Sequence, residues 1–583
     1  MNKLQDPLRL QLANLISKEI DSTFQMKLNP EDLVSDIASV PNLKMGHLSF
    51  PCFKLSKELK KNPKEVADEL SSQWSNKDSL DEIKAMGPYL NFFLKPDFFG
   101  KTVLSGMNNH QYFDVNKSTE QPFLIEYSQP NTHKELHVGH MRNLCFGHSL
   151  ILLFKYCGNN VVSCTFPGDV GTHVAKCLWY LKHHNQEPIP ETHKGEWLGT
   201  MYSAAHNKLE DEKGTDKEDT NRAQLTEILK QIEAKSGEYF ELWKETRDWS
   251  VELMQKVYSW AGVSFDKWYW ESDVDSASVN LVKKLYEDGK LIEDKGALGL
   301  NLEDEKLGFA MFLKSDGNGL YSTKDLELAR RKFEEYNPQE NIVVVDMRQE
   351  LHFKQVFTSF GKLGLGETNK CKHLKYNFVE LPDGAMSSRK GNIIPITDLI
   401  ENMKSMIKEE YLKRYENDWS QEEINLTADQ VAQGAIKYGM NRMDPNKKIV
   451  FDMKEWLRLD GESGPYIQYS HARINSLLRK FGEHTQDNPD WSTLTHDREI
   501  ELMIHLSLFN WSMFKSLEGY KTSGICNYLY DLAKLFNSFY HDCPIGSLDD
   551  ENLKAARLGL VLAVKSSLAK GLELLGIPAP ERM

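Results

Sequence analysis

The strand-like run Phe123 to Ser128 closes on Gln129-Pro130-Asn131, a helical pattern runs from His140 to Tyr156, and a second strand-like run follows at Val161 to Thr165. This β-loop-α-β order commits the middle of the chain to a parallel α/β layer, since parallel strands need a crossover of about this length. The strand-to-helix loop holds His137-Val138-Gly139-His140, where open α/β sheets bind ligands. Both imidazoles can donate to phosphoryl oxygens whose charge grows in a transition state. Gly139 would let a flat adenine ring approach the backbone. A chance pair of surface or metal-binding histidines is the blander alternative, so context decides.

That context is Gly384-Ala385-Met386-Ser387-Ser388-Arg389-Lys390-Gly391-Asn392, downstream of two buried-type strand runs, Ile342 to Asp346 and Tyr376 to Leu381. Small residues there carry two hydroxyls and two cations, suited to clamp a triphosphate once ATP has entered. Standing alone, it would read as a charged surface loop. Other nucleotide signatures fail: Gly100-Lys101-Thr102 has Lys95 where a Walker A loop needs its upstream glycine, and no GxGxxG follows a strand.

At 583 residues the chain is long enough for about three or four domains. With 71 Lys+Arg against 85 Asp+Glu its net charge is −14, which argues against a nonspecific DNA coat, because such binding is mostly phosphate neutralisation. No apolar stretch approaches the ~20 residues that span a bilayer. The start reads as an amphipathic helix opened by Asp6 and Pro7, with Glu19 and Asp21 further along, and not as a signal peptide. A cytoplasmic protein is expected. The eight cysteines form no CxxC pair and no zinc spacing, so free, mostly buried thiols and no structural metal are expected.

The organisation follows in three parts. Residues 1–115 form a first α+β unit, with Lys54, Lys57 and Lys61 on one helix face, Asn62-Pro63 starting another helix, and Gly87 to Leu94 giving a turn and a strand. Residues 116–395 form the parallel-sheet domain, with a largely helical insertion at about 195–275 and a charged stretch, Lys208 to Arg222, that reads as a solvated loop. Residues 396–583 read as all-α.

Taken together these motifs resemble a class I aminoacyl-tRNA synthetase, and the residues between them resemble the arginyl family. The matching segments are Ile125 to Lys134, Tyr321 to Leu326, Gln349 to Gln355, Gly464 to Arg473, and the ending Leu574 to Met583. The fold so implied is multidomain: a Rossmann-type parallel-sheet catalytic domain, an N-terminal α+β tRNA-binding domain and a C-terminal all-α anticodon-binding domain. The activity implied is arginine–tRNA ligation, with L-arginine, ATP carried with Mg²⁺, and tRNA(Arg) as partners, no membrane or DNA partner, and a monomer. The resemblance also implies that tRNA is required for the activation step.

The same resemblance assigns residues. Lys134, His137, His140 and Arg389 would be catalytic, and Gly139, Met386, Ser387, Ser388 and Lys390 would bind ATP. Glu126, Asn131, His137, Tyr321, Asp325 and Gln349 would bind arginine. The chemistry is apt, because a guanidinium is a planar five-donor fork that cannot be deprotonated and needs carboxylates and neutral acceptors in fixed places. Asp325 and Glu126 would supply the negative charge. Tyr321 and Asp325, four apart, share a helix face. Tyr89, Asn91, Tyr466, Tyr469, Arg473, Tyr540 and Met583 would touch tRNA. Two positions depart from the family: Gln129 stands where a second serine usually precedes Pro-Asn, and Ala385 stands where the general loop has a lysine, a loss the family offsets with Lys134.

Overall fold

The computed structural model describes every residue except 1–3, 41, 76, 119, 383, 386–393 and 487. The N-terminal unit begins with the helix Pro7–Phe24, capped by Asp6, whose side chain accepts from the Arg9 backbone. Asn62 caps Pro63–Gln73 in the same way. These helices, with Phe53–Leu59, accompany a four-stranded antiparallel sheet ordered Ala38–Ser39, Leu48–Pro51, Tyr89–Leu94, Leu80–Met86. Both helix starts obey the rule that Asp or Asn satisfies the orphan amides while proline fills a position needing none.

The central sheet is built from β1 (Phe123–Glu126), β2 (Val161–Thr165), β3 (Lys267–Trp268), β4 (Glu340–Asp346) and β5 (Cys371–Tyr376), all parallel, in the order β5-β4-β1-β2-β3. Helix α1 (Val138–Tyr156) crosses from β1 to β2, and α2 (Tyr321–Tyr336) precedes β4. The order reverses at β1, so a crevice opens beyond the carboxyl ends of β1 and β4, the place such sheets reserve for ligands. Helix α1 buries residues on all sides, among them Met141, Leu144, Phe146, Leu150 and Phe154, because it is packed between the sheet and the C-terminal helices. Each such side chain contributes about 1.5–3 kcal/mol on burial, which anchors the histidine loop at its start.

Several expectations need adjusting. Lys208 to Arg222 is no simple loop: it spans the end of the helix Lys194–Asp211, a short turn, and the start of Glu218–Glu233, tied together by Glu212 to Lys208, Lys217 and Asn221. The run expected as one strand from Tyr376 to Leu381 is two, β5 ending at Tyr376 and a separate strand Val379–Leu381. A small antiparallel sheet between Ile292 and Leu313 escaped sequence reasoning. After residue 396 the chain is helical apart from the two-residue strand Ile449–Val450, which pairs with Val379 and Glu380.

The ends of the chain meet. Asn108 donates to the Gly559 carbonyl (3.1 Å), Tyr112 to that of Ser507 (3.3 Å), and the Arg9 guanidinium lies 4.5 Å over the Trp511 ring. All eight cysteines are free, and all but Cys371 are buried.

Candidate active site

His137 is the N-cap of α1. Its Nδ1 accepts from the Gly139 amide (3.1 Å), and its own amide donates to His140 Nδ1 (3.2 Å), a reciprocal capping box made by two imidazoles. With each Nδ1 an acceptor, each neutral ring carries its proton on Nε2. Burial pushes His137 down to about 4. His140 is held well below the ordinary histidine range by burial, then by His137 and the Lys134 ammonium. Both rings are therefore neutral Nε2–H donors at neutral pH, 4.0 Å apart between centroids. A Cβ on Gly139 would sit 3.0 Å from the His137 ring, so this glycine is required first by the histidine itself. Lys134 lies with its ammonium 5.2 Å from the Tyr202 ring.

The second half of the site returns to the same place. Val379–Leu381 pairs with Gly384–Ala385 in a hairpin, the Val138 amide donates to the Ile394 carbonyl (3.1 Å), and the Ile396 amide to that of Leu136 (2.9 Å). Met386, Ser387, Ser388, Arg389 and Lys390, the expected ATP clamp, lie outside the described residues. Among the described residues, no cluster of three or more His, Cys, Asp or Glu could hold a metal ion.

Beside His140 lies a cavity of about 440 Å³ lined by Glu126, Asn131, His140, Tyr321, Asp325 and Gln349. The arginine residues expected from sequence are thus brought together, except that His137 stands one ring behind, against His140. Tyr321 sits at the mouth, 68% exposed. Asp325, on the same face of α2, accepts from or shares a proton with His352 Nε2 at 2.6 Å. Its neighbour Lys324 pairs with Glu271 and Asp275, both at 3.2 Å. Glu126, expected to supply negative charge, lines the cavity and is also buried against the ammonium of Lys332.

The wall residues missed include Glu271, His352 and Asn143. Burial pushes Glu271 up to about 7, against the pull of Lys324. Asn143, one turn beyond His140, accepts from the Ser128 amide and donates to the Val344 carbonyl (2.9 Å) and the Tyr376 hydroxyl (3.0 Å). Only His352 left a sequence trace, inside Gln349 to Gln355. Gln129 is gripped at both ends: its Nε2 donates to Glu126 Oε1 (3.0 Å) and its Oε1 accepts from Asn143 (3.3 Å).

The expected tRNA residues divide. Tyr89 is exposed and meets Phe53 edge-on. Asn91 is a correction: it is 2% exposed, its amide held by the Met45 carbonyl (2.9 Å) and the Met86 sulfur, so it supports the surface from beneath. In the C-terminal domain Asn537 donates to the Tyr466 hydroxyl (2.7 Å) and accepts from Arg473 (3.4 Å), whose guanidinium lies 4.3 Å over Tyr540. Tyr466, Arg473 and Tyr540 are therefore one cluster, with Asn537 as its unforeseen centre; Tyr469 is half-buried one turn along. The tail is strapped down at Gly576, Pro578 and Pro580, whose carbonyls accept from Lys437, Gln468 and His471, and Met583 ends against the Tyr415 hydroxyl.

Comparison with known proteins agrees with this geometry. The pattern described as tRNA synthetases class I (R), catalytic domain, matches residues 102–453, the DALR anticodon binding domain 467–583, and the arginyl tRNA synthetase N terminal domain 10–94. An arginine–tRNA ligase of Bdellovibrio bacteriovorus is 53% identical over 580 residues, covering 99% of each chain. The chain belongs to the arginyl-tRNA synthetases. An arginine–tRNA ligase of Clostridium botulinum is 34% identical, covering 98% of this chain and 99% of its own. The Thermus thermophilus arginyl-tRNA synthetase structure superposes with a TM-score of 0.81 at 26% identity, covering 99% of this chain and all of its own. As a synthetase of this family the chain is an ATP-dependent ligase that joins arginine to tRNA.

Proposed function

We propose that arginine occupies the cavity beside His140, with its guanidinium toward Asp325, Glu271 and Tyr321 and its α-amino end toward Asn131 and Gln349. The observation that carries this reading is the opening of a carboxylate-lined cavity onto the neutral Nε2–H donor of His140, with the His137 ring stacked behind it. ATP, arriving with Mg²⁺, lies across the α1 N-terminus, where helix amides and dipole favour phosphate. His137 and His140 donate to phosphoryl oxygens as charge builds there, and Lys134 supplies the cation absent at Ala385. The arginine carboxylate attacks the α-phosphorus, pyrophosphate leaves, and a terminal ribose hydroxyl of tRNA then takes the arginyl group from the adenylate. Catalysis is positioning and charge stabilisation, with no covalent enzyme intermediate.

In this reading residues 1–115 and 396–583 hold the tRNA on either side of the catalytic unit, Tyr89 at one end and the Tyr466, Arg473, Tyr540 and Met583 group at the other. The enzyme acts in this reading as a monomer in the cytoplasm. No helix among the described residues is long and apolar enough to cross a membrane. A site that meets the guanidinium with fixed carboxylates and neutral acceptors rejects an amino acid that cannot make those contacts, and discrimination of ~10⁴–10⁵ is reachable that way without editing. Pyrophosphate exchange with each amino acid, with and without tRNA, tests the reading. Exchange with arginine alone, dependent on tRNA, is expected; exchange with lysine at a comparable rate would overturn it.

A further inference from the structure

His133, next to Lys134 and four residues before His137, holds a backbone shape that side chains rarely adopt. Its φ is +60°, in the left-handed region, where a residue other than glycine stays only if its surroundings impose it. Those surroundings are one helix of the insertion, Glu238–Ala261. The ring is fully buried, with Nδ1 2.9 Å from the Thr132 hydroxyl and Nε2 2.8 Å from that of Thr246, and the His133 amide donates to Ser250 Oγ (3.0 Å). The Thr246 hydroxyl donates to the Leu242 carbonyl (2.7 Å), so it accepts from the histidine Nε2–H. A second insertion helix, Lys194–Asp211, meets the next two residues. Tyr202 places its ring 5.2 Å from the Lys134 ammonium, and a Cβ on Gly199 would lie 3.1 Å from the Glu135 main chain. The two helices lock together at Gly195, where a Cβ would lie 2.7 Å from the Trp249 carbonyl. Three consecutive residues ahead of the histidine pair are thus gripped by the insertion, and His133 is the most firmly held.

We propose that His133 is a positioning residue for Lys134: anchored to Thr246 and Ser250, it turns the chain so that the lysine leaves the backbone aimed at the phosphates of ATP. The helical insertion thereby takes part in activation, although neither of these two helices lines the arginine cavity. The inference rests on the reading of Lys134 as the cation that meets those phosphates. A lysine ammonium rides on a flexible four-carbon stem, so the side chain alone does not define where its charge sits. What the fold can fix is the direction in which the stem departs, and the dihedral angles of residue 133 set that direction. Displacing a group that stabilises a transition state by about 1 Å costs up to about 10²-fold in rate.

His133→Gly keeps the left-handed backbone accessible and removes both ring contacts. Pyrophosphate exchange with arginine, measured with tRNA bound, should slow about tenfold to 10²-fold in kcat, with the KM for arginine unchanged. The same substitution in a Lys134→Ala background should cost nothing further, because the cation it aims is gone, a coupling read from the double-mutant cycle. An equal fall in both backgrounds would make His133 mere support for the fold and overturn the inference. No fall at all, or a fall carried by the arginine KM, also overturns it. If His133→Gly does not fold, Thr246→Val, which removes the hydroxyl that holds Nε2, decides by the same criteria in the same two backgrounds. Lys134→Ala measured alone separates the two levels. Full activity there overturns the assignment of Lys134 itself, whereas a crippled Lys134→Ala beside a fully active His133→Gly overturns only the role of His133.

Discussion

His352 Nε2 lies 2.6 Å from Asp325 Oδ2 at the wall of the cavity. The carboxylate proposed to meet the guanidinium is thus already oriented by an imidazole, which is itself edge-on to Phe353. A hydrogen bond of this kind locks the carboxylate plane and leaves the other oxygen for the substrate.

Asp325→Asn keeps that shape and removes the charge, so arginine binding should weaken by about 1.5–3 kcal/mol or more. His352→Ala should weaken it less, by about 0.5–1.5 kcal/mol, because it loses only the orienting contact. Equilibrium titration with arginine and separately with ATP checks both, and ATP affinity should stay put in each.

Lys134→Ala should cripple adenylate formation by several kcal/mol, as expected of a charge-assisted contact concentrated in the transition state. Ala385→Lys placed in that variant should restore part of the loss. Single-turnover kinetics with preformed tRNA complex provide the measurement; full activity in Lys134→Ala would leave the phosphates without their assigned cation.

Arg473→Ala and Tyr540→Ala act on exposed partners of one cation–π contact, so the fold should be unaffected. Each should raise the KM for tRNA, by an amount corresponding to ~1–3 kcal/mol if a base stacks there, with arginine and ATP binding unchanged. Loss of discrimination between anticodon variants is the expected signature. If discrimination is intact, the cluster is structural.

Acid should destabilise the protein through buried neutral histidines. Burial, helped by the Arg247 charge, holds His133 down to about 3, burial and Lys134 do the same for His173, and burial with Lys437 and Lys155 holds His148 to about 4. An unfolded histidine titrates near ~6.5. As pH falls below that, the unfolded chain takes up protons the folded chain refuses, so stability drops progressively toward the folded values and is flat above. Each group contributes up to about 1.4 kcal/mol per pH unit in that window. Urea midpoints across the neutral-to-acid range should show this, and His133→Gln, which keeps a partner for Thr246, should make the fall shallower.

What sequence could disclose was local. Asp6 and Asn62 announce helix starts because cap and helix are adjacent in the chain, and His137 and His140 form their capping box within one turn. Lys332 was illegible because its partner Glu126 is 206 residues away, and Glu271 because nothing near it marks it as a wall of the site. Asn91 misled for a physical reason. Strand alternation places it on the same face as exposed Tyr89, but the turn at Gly46 passes over it, so close that a Cβ on Gly46 would lie 3.3 Å from that of Asn91. Glu126 was legible by its type, but only the tertiary fold reveals the lysine beside it.

The contact of Asn108 with Gly559 joins positions 451 residues apart. A ribosome adding ~5–20 residues per second needs about 20–90 s to travel that distance. Throughout that interval the face of the first unit that packs on the helix Glu551–Leu574 lacks that cover. The nascent chain must therefore be shielded, or be slow to aggregate, for longer than most single domains take to fold, and any truncation before the helix Glu551–Leu574 leaves that surface bare for good.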